Sequence, residues 1–479
     1  VFLRKQFRSE CNKKCNKICF RGQQMVHLAQ DAVPGASLMK EHAAVVEPKV
    51  QKKQTLWIIR GNAYDLTGWA SQHPGGSEII EQTAGTDCTS LFESYHALSH
   101  QPVHKMLKKF FVRPAYTEEQ DVSITWPWEE TPIYDELKER VKDYLAGRSP
   151  KAPKWLLATW YPFWLALFLY SIWSWLTQGR FHHAVILGVT IWYASGDAVH
   201  SGSHFAIFKS PGLNLFVAYT FGWLHATPAA WIRQHNLGHH TYTNTLKDPD
   251  IYHHDMSCLN HLGWRNHVGV EKQPMHAKWR YICIPFTMLT GVVPLLVESS
   301  FWLLAEVSET CRALNIYPKS VVLDWESKLS FFQMGLTIAL MSLATYAHGF
   351  IISATPFAVH GLMYHHFTQL THVNEASHEL VQGEEWAIHQ LRCASGDFGQ
   401  RSRFWLFTTI GLNMQAPHHI FPSLHWFHYM AVYRILQEVL SETLPKTLAD
   451  RNFAQAYKNW AMFLDELNVT DEPPKTKTD

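Results

Sequence analysis

The chain has 479 residues, enough for roughly two or three domains, and its formal net charge is only +1. A net charge this close to zero gives no general electrostatic attraction to nucleic acid, so we predict no nucleic-acid partner. Most of the eight cysteines are scattered, which argues against a disulfide framework and favours a reducing setting that faces the cytosol.

A basic, polar leader over residues 1–52 comes first. It starts at Val1 rather than at a methionine, and Met25 is the predicted natural start. Its three cysteines repeat every four residues and would line one helix face, but no fourth zinc ligand accompanies them. The leader lacks an apolar segment of signal-peptide length. We predict that it is disordered, with a targeting role as the alternative.

Residues 53–112 are predicted to form a small α+β domain that binds a planar ligand. Residues 56–59 favour a strand. His73 lies in the tight turn His-Pro-Gly-Gly, whose glycines let the backbone approach such a ligand, and His96 follows. Two imidazoles on one haem iron leave no open coordination position, so a haem held in this way transfers electrons and does not bind oxygen.

This domain resembles cytochrome b5 in its WII-G-x-x-YD, HPGG and F-x-x-x-H elements. The resemblance covers roughly residues 55–112 and implies haem b as the cofactor. It also implies that His73 is one axial ligand and that His96 is the other, with His100 as the alternative to His96. Without a haem, the same residues would be a His-Pro turn and a surface histidine.

A linker, a transmembrane domain and a cytosolic end are predicted after the haem domain. Prolines and acidic residues indicate a linker over 113–150. The transmembrane domain is predicted over 151–430, because residues 155–176 are nearly uncharged and exceed the roughly 20 apolar residues that a span needs. Residues 431–479 are predicted to be cytosolic helices and a tail. The predicted fold class is therefore an α-helical membrane protein with a small α+β amino-terminal domain.

Histidines gather in three clusters beside the apolar segments. They are His200 and His204; His235, His239 and His240; and His418 and His419, preceded by Gln415. Within the first cluster, histidines four residues apart share a helix face. The same spacing pairs His235 with His239 and turns His240 aside. Imidazole suits borderline metals such as iron, although a chain with 30 histidines contains some pairs by chance.

The clusters can lie on one side of a membrane only if an even number of spans separates them. We therefore predict two spanning hairpins, 155–176 with 183–199 and 330–348 with 349–369. The apolar segments 211–229 and 281–305 would then lie in the interface or against the helical bundle. The face that carries the clusters is rich in lysine and arginine, which favours the cytosolic side.

The chain as a whole resembles the membrane-bound fatty acid desaturases, and among them the front-end desaturases with an amino-terminal cytochrome b5 domain. The resemblance covers about residues 53–440 and rests on HPGG, on QHNLGHHTYTN followed by DPDI, and on LNMQAPHHIFP, whose Gln415 is typical of the front-end group. It implies a non-haem di-iron centre with the candidate ligands His200, His204, His235, His239, His240, His372, Gln415, His418 and His419. Asp197, Asn244 and Asp250 would orient these ligands by hydrogen bonds.

The first cluster departs from the family's usual H-D-x-x-H pattern. Gly196 stands where the leading histidine is expected, and Asp197 and His200 follow in register. Either His200 and His204 are the ligands in a register shifted by one turn, or Asp197 substitutes as a carboxylate ligand. We favour the histidine pair. An inactive enzyme is the third reading.

The resemblance implies that O2 is used to insert a double bond between an existing double bond and the carboxyl end of a long polyunsaturated acyl chain. NADH or NADPH would supply electrons through a separate cytochrome b5 reductase to the haem and then to iron. The substrate would be an acyl-CoA or a phospholipid, and the location the endoplasmic-reticulum membrane. The second and third motifs are closest to the delta-5 or delta-4 type.

Two other functions remain open at this stage. One is a sphingolipid long-chain-base desaturase or an acyl hydroxylase on the same scaffold, which the histidine motifs do not separate from a front-end desaturase. The other is a membrane haem electron carrier whose iron site has decayed, as the residue at Gly196 would suggest.

Overall fold

The protein is described by a computed structural model over residues 55–120, 126–245, 248, 323–374, 381, 383–440, 444 and 447–469. The chain divides into the units Val1–Gln54 and Thr55–Asp479, and every described residue belongs to the second. The predicted leader, the apolar segment 281–305 and Asp250 lie outside the described residues.

The amino-terminal part of this unit is a three-stranded antiparallel sheet with short helices. The strands β1 (Trp57–Ile59), β2 (Asn62–Tyr64) and β3 (Phe111–Pro114) lie in that order. Arg60 and Gly61 join β1 to β2 with φ values of 50° and 66°, the left-handed geometry that suits a two-residue hairpin turn. The helices here are α1 (Glu78–Gln82), α2 (Thr89–Tyr95) and α3 (His100–Leu107).

The segment predicted as a linker is structured where it is described. Its first residues complete β3, which pairs with β2. Helix α4 (Pro132–Tyr144) then begins with proline at its first position, where no backbone donor is needed. Its Tyr134, Leu137 and Val141 recur at helical spacing and are buried in the largest apolar core. Pro132 therefore marks the start of a packed helix within this segment.

The carboxyl-terminal part contains helices joined by turns and loops, with no strand among its described residues. Its helices are α5 (Lys154–Ala158), α6 (Trp160–Gln178), α7 (Phe181–Thr190), α8 (Asp197–Ser203), α9 (Pro211–Phe221), α10 (Pro228–Trp231), α11 (His240–Tyr242), α12 (Asp324–His348), α13 (Phe350–His372), α14 (Trp386–Cys393), α15 (Arg403–Thr408), α16 (Gln415–Ile420), α17 (Tyr429–Leu440) and α18 (Phe453–Val469). Two π-helical segments, Ile191–Gly196 and Ile232–His239, join α7 to α8 and α10 to α11.

Two described helices, Lys154–Gln178 and Trp325–His348, are long and apolar enough to cross a membrane. Both expose large apolar side chains, including Trp173 and Phe332, which are 54% and 66% accessible. The predicted partners of these helices are helical but do not meet the same criterion. The partner of the first is broken by a π-helical segment and is mostly buried, and α13 carries histidines and an internal proline. The two-hairpin topology is therefore not confirmed.

A buried ionic cluster ties the amino-terminal part to the helical part. Arg233 Nη2 lies 2.9 Å from Glu326 Oε2, and both side chains are almost fully buried. Glu326 Oε1 also accepts hydrogen bonds from the Tyr219 hydroxyl and, at 2.8 Å, from Gln82 Nε2 of α1. The cluster thus joins the start of α12 to the π-helical segment and to the small domain.

We expect Arg233→Met to lower the free energy of unfolding by about 3–5 kcal/mol, because the Glu326 carboxylate would lose its cation while still buried. The melting temperature of the detergent-solubilised chain measures this loss. Arg140→Met is the matched control, since Arg140 pairs with Glu136 on an exposed helix face, where an ion pair contributes little. An equal fall in both variants would contradict the explanation.

Candidate haem pocket and histidine metal centre

The two histidines predicted to hold a haem face each other across a cavity in the amino-terminal domain. Their ring centroids are 6.0 Å apart, and both rings line a cavity of about 480 Å³. His73 Nδ1 donates to the carbonyl of Gly76 at 3.0 Å, and His96 Nδ1 donates to that of Phe92 at 2.7 Å. Each proton is therefore held on Nδ1, which leaves the Nε2 lone pair available to a metal.

The glycines of the His-Pro-Gly-Gly turn are required by its geometry. A Cβ at Gly75 would lie 2.7 Å from the His73 ring, so a larger residue would displace that ring. Gly76 has a φ of 95°, which other residues rarely adopt. Burial lowers the pKa of His73, and lowers that of His96 to about 4. Both imidazoles are therefore neutral and suited to bind iron. The side chain of His100 lies outside the described residues.

The wall of this cavity is shared with the helical part of the chain. It is lined by Phe205, Phe208 and Lys209, from the loop between α8 and α9, and by Asn214 of α9. The cavity therefore lies where the two parts meet, not on an isolated domain.

Four histidines from all three clusters form the first histidine group. His200, His204, His235 and His418 are buried, and their ligand atoms lie within 4.8 Å of one another. His200 Nε2 and His418 Nε2 are 3.1 Å apart. Imidazole nitrogens bound to one metal at roughly 2 Å stand at such separations. His204 Nε2 is buried without a hydrogen-bond partner among the described residues, which fits an atom that faces a metal.

His240 belongs with this group, in contrast to the prediction that it turns aside. Its Nε2 lies 3.2 Å from His235 Nε2 and 3.0 Å from His418 Nε2. The prediction assumed an α-helix, but residues 232–239 are π-helical. A π-helix aligns residues five apart, so His235 shares its face with His240 rather than with His239.

His239 instead contributes to the second histidine group, with His372 and His419. His419 Nε2 and His372 Nε2 are 3.3 Å apart, and the rings of His240 and His419 are stacked 4.3 Å apart. The two groups are therefore adjacent. Burial lowers the pKa values of His240, His418 and His419 well below the usual range, so these imidazoles can offer lone pairs to two neighbouring metal ions.

Several ligand candidates have their Nδ1 atom fixed by a hydrogen bond from outside the groups. His418 pairs with the Tyr429 hydroxyl at 3.0 Å, His419 with Gln390 Oε1 at 2.9 Å, and His239 with Asp248 at 3.0 Å. His372 pairs with the carbonyl of Cys393 at 3.1 Å. Partners of this kind set the tautomer and the ring orientation of metal-binding histidines.

Removing one such partner should weaken the centre without removing a ligand. We expect Tyr429→Phe to lower metal affinity or activity by about 10- to 100-fold, because His418 would lose the hydrogen bond that orients it. Iron retained against a chelator measures the affinity. Tyr433→Phe, one turn further along α17, removes a hydroxyl that contacts Gln400 instead. If both variants retained iron as the unchanged chain does, the assigned role of Tyr429 would fail.

His200 and His204 both lie in the first histidine group, whereas Asp197 lies outside both groups. Asp197 accepts hydrogen bonds from Ser201 and, at 3.4 Å, from Trp426 Nε1. A Cβ at Gly196 would face His225 and His360, which lie outside both histidine groups. Glycine at position 196 therefore does not deprive either histidine group of a ligand side chain. The H-x-x-x-H spacing is present in residues 200–204, and the acidic residue Asp197 lies one turn before His200.

Helix α16, which carries Gln415, His418 and His419, is fixed at its start by Asp397. That carboxylate accepts from the backbone amides of Gln415 and Ala416 at 2.7 and 3.0 Å, where the positive end of the helix favours it. Burial raises the Asp397 pKa to about 8, against the opposing effect of these amides. Gln415 Oε1 is buried without a hydrogen-bond partner among the described residues, which leaves it free for a metal or a bound water.

The sequence did not identify several residues that orient the histidines. Asp248 contacts His239 and was not predicted, although it lies in the same KDPD segment as Asp250, which is outside the described residues. Asn244, by contrast, was among the predicted orienting residues; it has a φ of 54° and donates to the backbone carbonyl of His372 at 3.0 Å. Tyr95, Gln390 and Tyr429 come from distant parts of the chain and gave no local signal.

Both parts of the chain match known families. Residues 39–115 match the family described as cytochrome b5-like haem/steroid binding domain, and residues 179–448 match fatty acid desaturase. The two resemblances that the motifs indicated are thereby confirmed.

Several relatives align with most of the chain. A probable Delta(5) fatty acid desaturase C of Dictyostelium discoideum is 28% identical over 85% of this chain and 91% of its own length. An acyl-lipid (8-3)-desaturase of Mortierella alpina is 28% identical, over 87% and 94%. An acyl-lipid omega-13 desaturase of Chlamydomonas reinhardtii is 26% identical, over 84% and 91%.

Proposed function

Because the chain belongs to the fatty acid desaturase family and carries a cytochrome b5-like domain before the desaturase domain, we propose that it is a front-end desaturase of polyunsaturated acyl chains. It would insert a double bond between an existing double bond and the carboxyl end. The observation that carries this proposal is the pair of adjacent histidine groups beside a haem pocket.

The two histidine groups would hold the two iron ions. His200, His204, His235 and His418 form the first group, and His239, His372 and His419 the second, with His240 between them. Gln415 would hold a water or complete one coordination sphere. Iron and O2 supply the oxidative chemistry that cleaves an unactivated C–H bond. The protein supplies neutral imidazoles, the hydrogen bonds that orient them and a buried site.

The haem would be held by His73 and His96 and would relay electrons that a separate reductase takes from NADH or NADPH. Two axial imidazoles suit electron transfer and not oxygen binding. Fusion to the desaturase domain keeps the donor at a high effective concentration. The buried contact between Gln82 and Glu326 supports a docked position for the haem domain.

A membrane location is supported by the apolar surface of the two long helices, which expose Trp173 and Phe332. Lipid tails would cover these side chains. We propose the endoplasmic-reticulum membrane, with the haem domain and both histidine groups on the cytosolic side. The substrate would be an acyl-CoA or an acyl-lipid.

The relatives favour regioselectivity near the carboxyl end. Two of them are named as a Delta(5) and an (8-3) desaturase, and we propose delta-5 activity for this chain, with delta-4 as the alternative. The Gln415 position supports the front-end class, because it replaces a histidine of the third motif.

Fatty-acid profiling of yeast that expresses the full chain tests this function. Cells are fed one polyunsaturated acid at a time, and double-bond positions are determined by mass spectrometry of derivatised products. A new double bond on the carboxyl side of an existing one is expected. A hydroxylated acyl chain, a modified sphingoid base, or no product despite a normal haem spectrum would overturn the proposal.

A further inference from the structure

A single tyrosine joins the haem ligand to the first histidine group. Tyr95 is the last residue of α2 and directly precedes His96. Its hydroxyl oxygen lies 2.7 Å from His204 Nδ1, across 109 positions of sequence. The two rings are stacked, with an interplanar angle of 22°.

The direction of this hydrogen bond follows from the chemistry of the group. If His204 binds metal through Nε2, its proton must be on Nδ1, so Nδ1–H donates to the Tyr95 oxygen. Asn236 Nδ2 donates to the same oxygen at 3.1 Å and to the carbonyl of Ser203 at 2.9 Å. Two donors therefore fix the position of the tyrosine oxygen relative to α8 and to the π-helical segment that contains Asn236.

The residue after His204 faces the haem pocket. Phe205 lines the cavity and lies edge-on to Tyr95, with ring centroids 6.5 Å apart. Its φ of 56° is uncommon for a bulky residue, and such strain is kept only where the surrounding structure requires it. Tyr95, which is next to the candidate haem ligand His96, thus contacts the first histidine group. Phe205, which is next to the candidate iron ligand His204, lines the haem cavity.

The packing around Tyr95 makes this contact part of a buried interface. Leu91 of α2 is buried against Ala229, Ile232 and Leu237, which belong to α10 and the segment that carries His235 and His239. Tyr95 packs against the same cluster. The distance between the two sites is therefore set by a buried apolar contact and not by a flexible linker.

We propose that Tyr95 is the positioning residue that couples the haem to the first histidine group, by fixing His204 and by providing the covalent and hydrogen-bonded connection from His96. This rests on the proposed function. With haem held by His73 and His96 and iron held by the histidine groups, one electron would pass from ferrous haem to a ferric iron, so that the haem would become ferric and that iron ferrous. The reductase, or dithionite in an assay, supplies the next electron to the haem.

The test uses the purified full chain loaded with haem and iron, and the variant Tyr95→Phe. The haem is reduced without oxygen by a limiting amount of dithionite, and its reoxidation by the ferric centre is followed by absorbance. We expect Tyr95→Phe to slow this step by about tenfold or more, the size of effect seen when an outer partner of a metal ligand is lost. The comparison is made at saturating iron, where haem content and iron content should equal those of the unchanged chain, so that a slower rate reports the coupling and not a loss of metal.

Two controls separate a failure of this inference from a failure of the proposed function. Tyr64→Phe removes a phenol from the core of the same domain, outside the haem cavity, and should leave the reoxidation rate unchanged. His418→Ala should abolish metal-dependent reoxidation. If the unchanged chain itself showed no such reoxidation, the proposed function would fail. If Tyr95→Phe matched the unchanged chain, or lost its iron, the role of Tyr95 would be overturned while the proposed function stood.

Discussion

His418→Ala should abolish desaturation in cells and in purified protein, with a loss of more than about 100-fold, since altering even an outer partner of a metal ligand costs 10- to 100-fold. His418 is central to the first histidine group, because its Nε2 lies 3.1 Å from that of His200 and 3.0 Å from that of His240. The variant should also bind less iron than the unchanged chain, as measured by elemental analysis. Its haem spectrum should be normal.

The matched control is His182→Ala, which removes an exposed histidine on α7 that lies outside both groups. This variant should retain iron and product formation. Unchanged product formation in His418→Ala would show that the histidine groups do not form the catalytic centre. Normal iron and haem with no product in the unchanged chain would instead favour an electron carrier without desaturase activity.

The sequence motifs predicted the chemistry of both sites because that chemistry is local. His73 with its two glycines, and the closely spaced histidines of each cluster, are short patterns that few other functions explain. They also led us to expect that the three clusters meet, as the first histidine group shows, although the two-hairpin topology inferred from that expectation is not confirmed. The resemblance to two families rests on the same motifs and implied the same residues.

The division of the histidines between two groups could not be predicted from spacing. It depends on the π-helical winding of residues 232–239, which pairs His235 with His240 and sends His239 to the second group. Such winding is a local irregularity, stabilised by tertiary contacts, and leaves no periodic signature in a short segment.

The residues that orient the ligands are set by contacts between distant parts of the chain. Tyr95 and His204 are separated by 109 positions, and Gln390 and His419 by 29. Tyrosine and glutamine are common residues, so only the fold shows which of them contact a ligand. The missing histidine at Gly196 suggested a decayed iron site for the same reason. The sequence alone did not show that this position faces His225 and His360.

His73→Ala should remove the haem and, with it, the electron supply to the histidine centre. Linking two binding partners raises their overall binding strength by about 100- to 10,000-fold over that of separate partners. In an assay with reductase but no added cytochrome b5, we therefore expect desaturation to fall by roughly 100-fold or more. The Soret absorbance measures haem content. His104→Gln is the control, because its ring packs on Phe92 of the same domain without being a predicted axial ligand.

The response of His73→Ala to added cytochrome b5 distinguishes an electron donor from a structural domain. If the haem domain only supports the fold, losing its haem would impair the histidine centre irreversibly, and a soluble donor would not help. If it supplies electrons, a high concentration of free cytochrome b5 should restore part of the activity, because the iron centre itself is intact. Full activity in the variant without any added donor, together with loss of the haem spectrum, would contradict the role of the haem altogether.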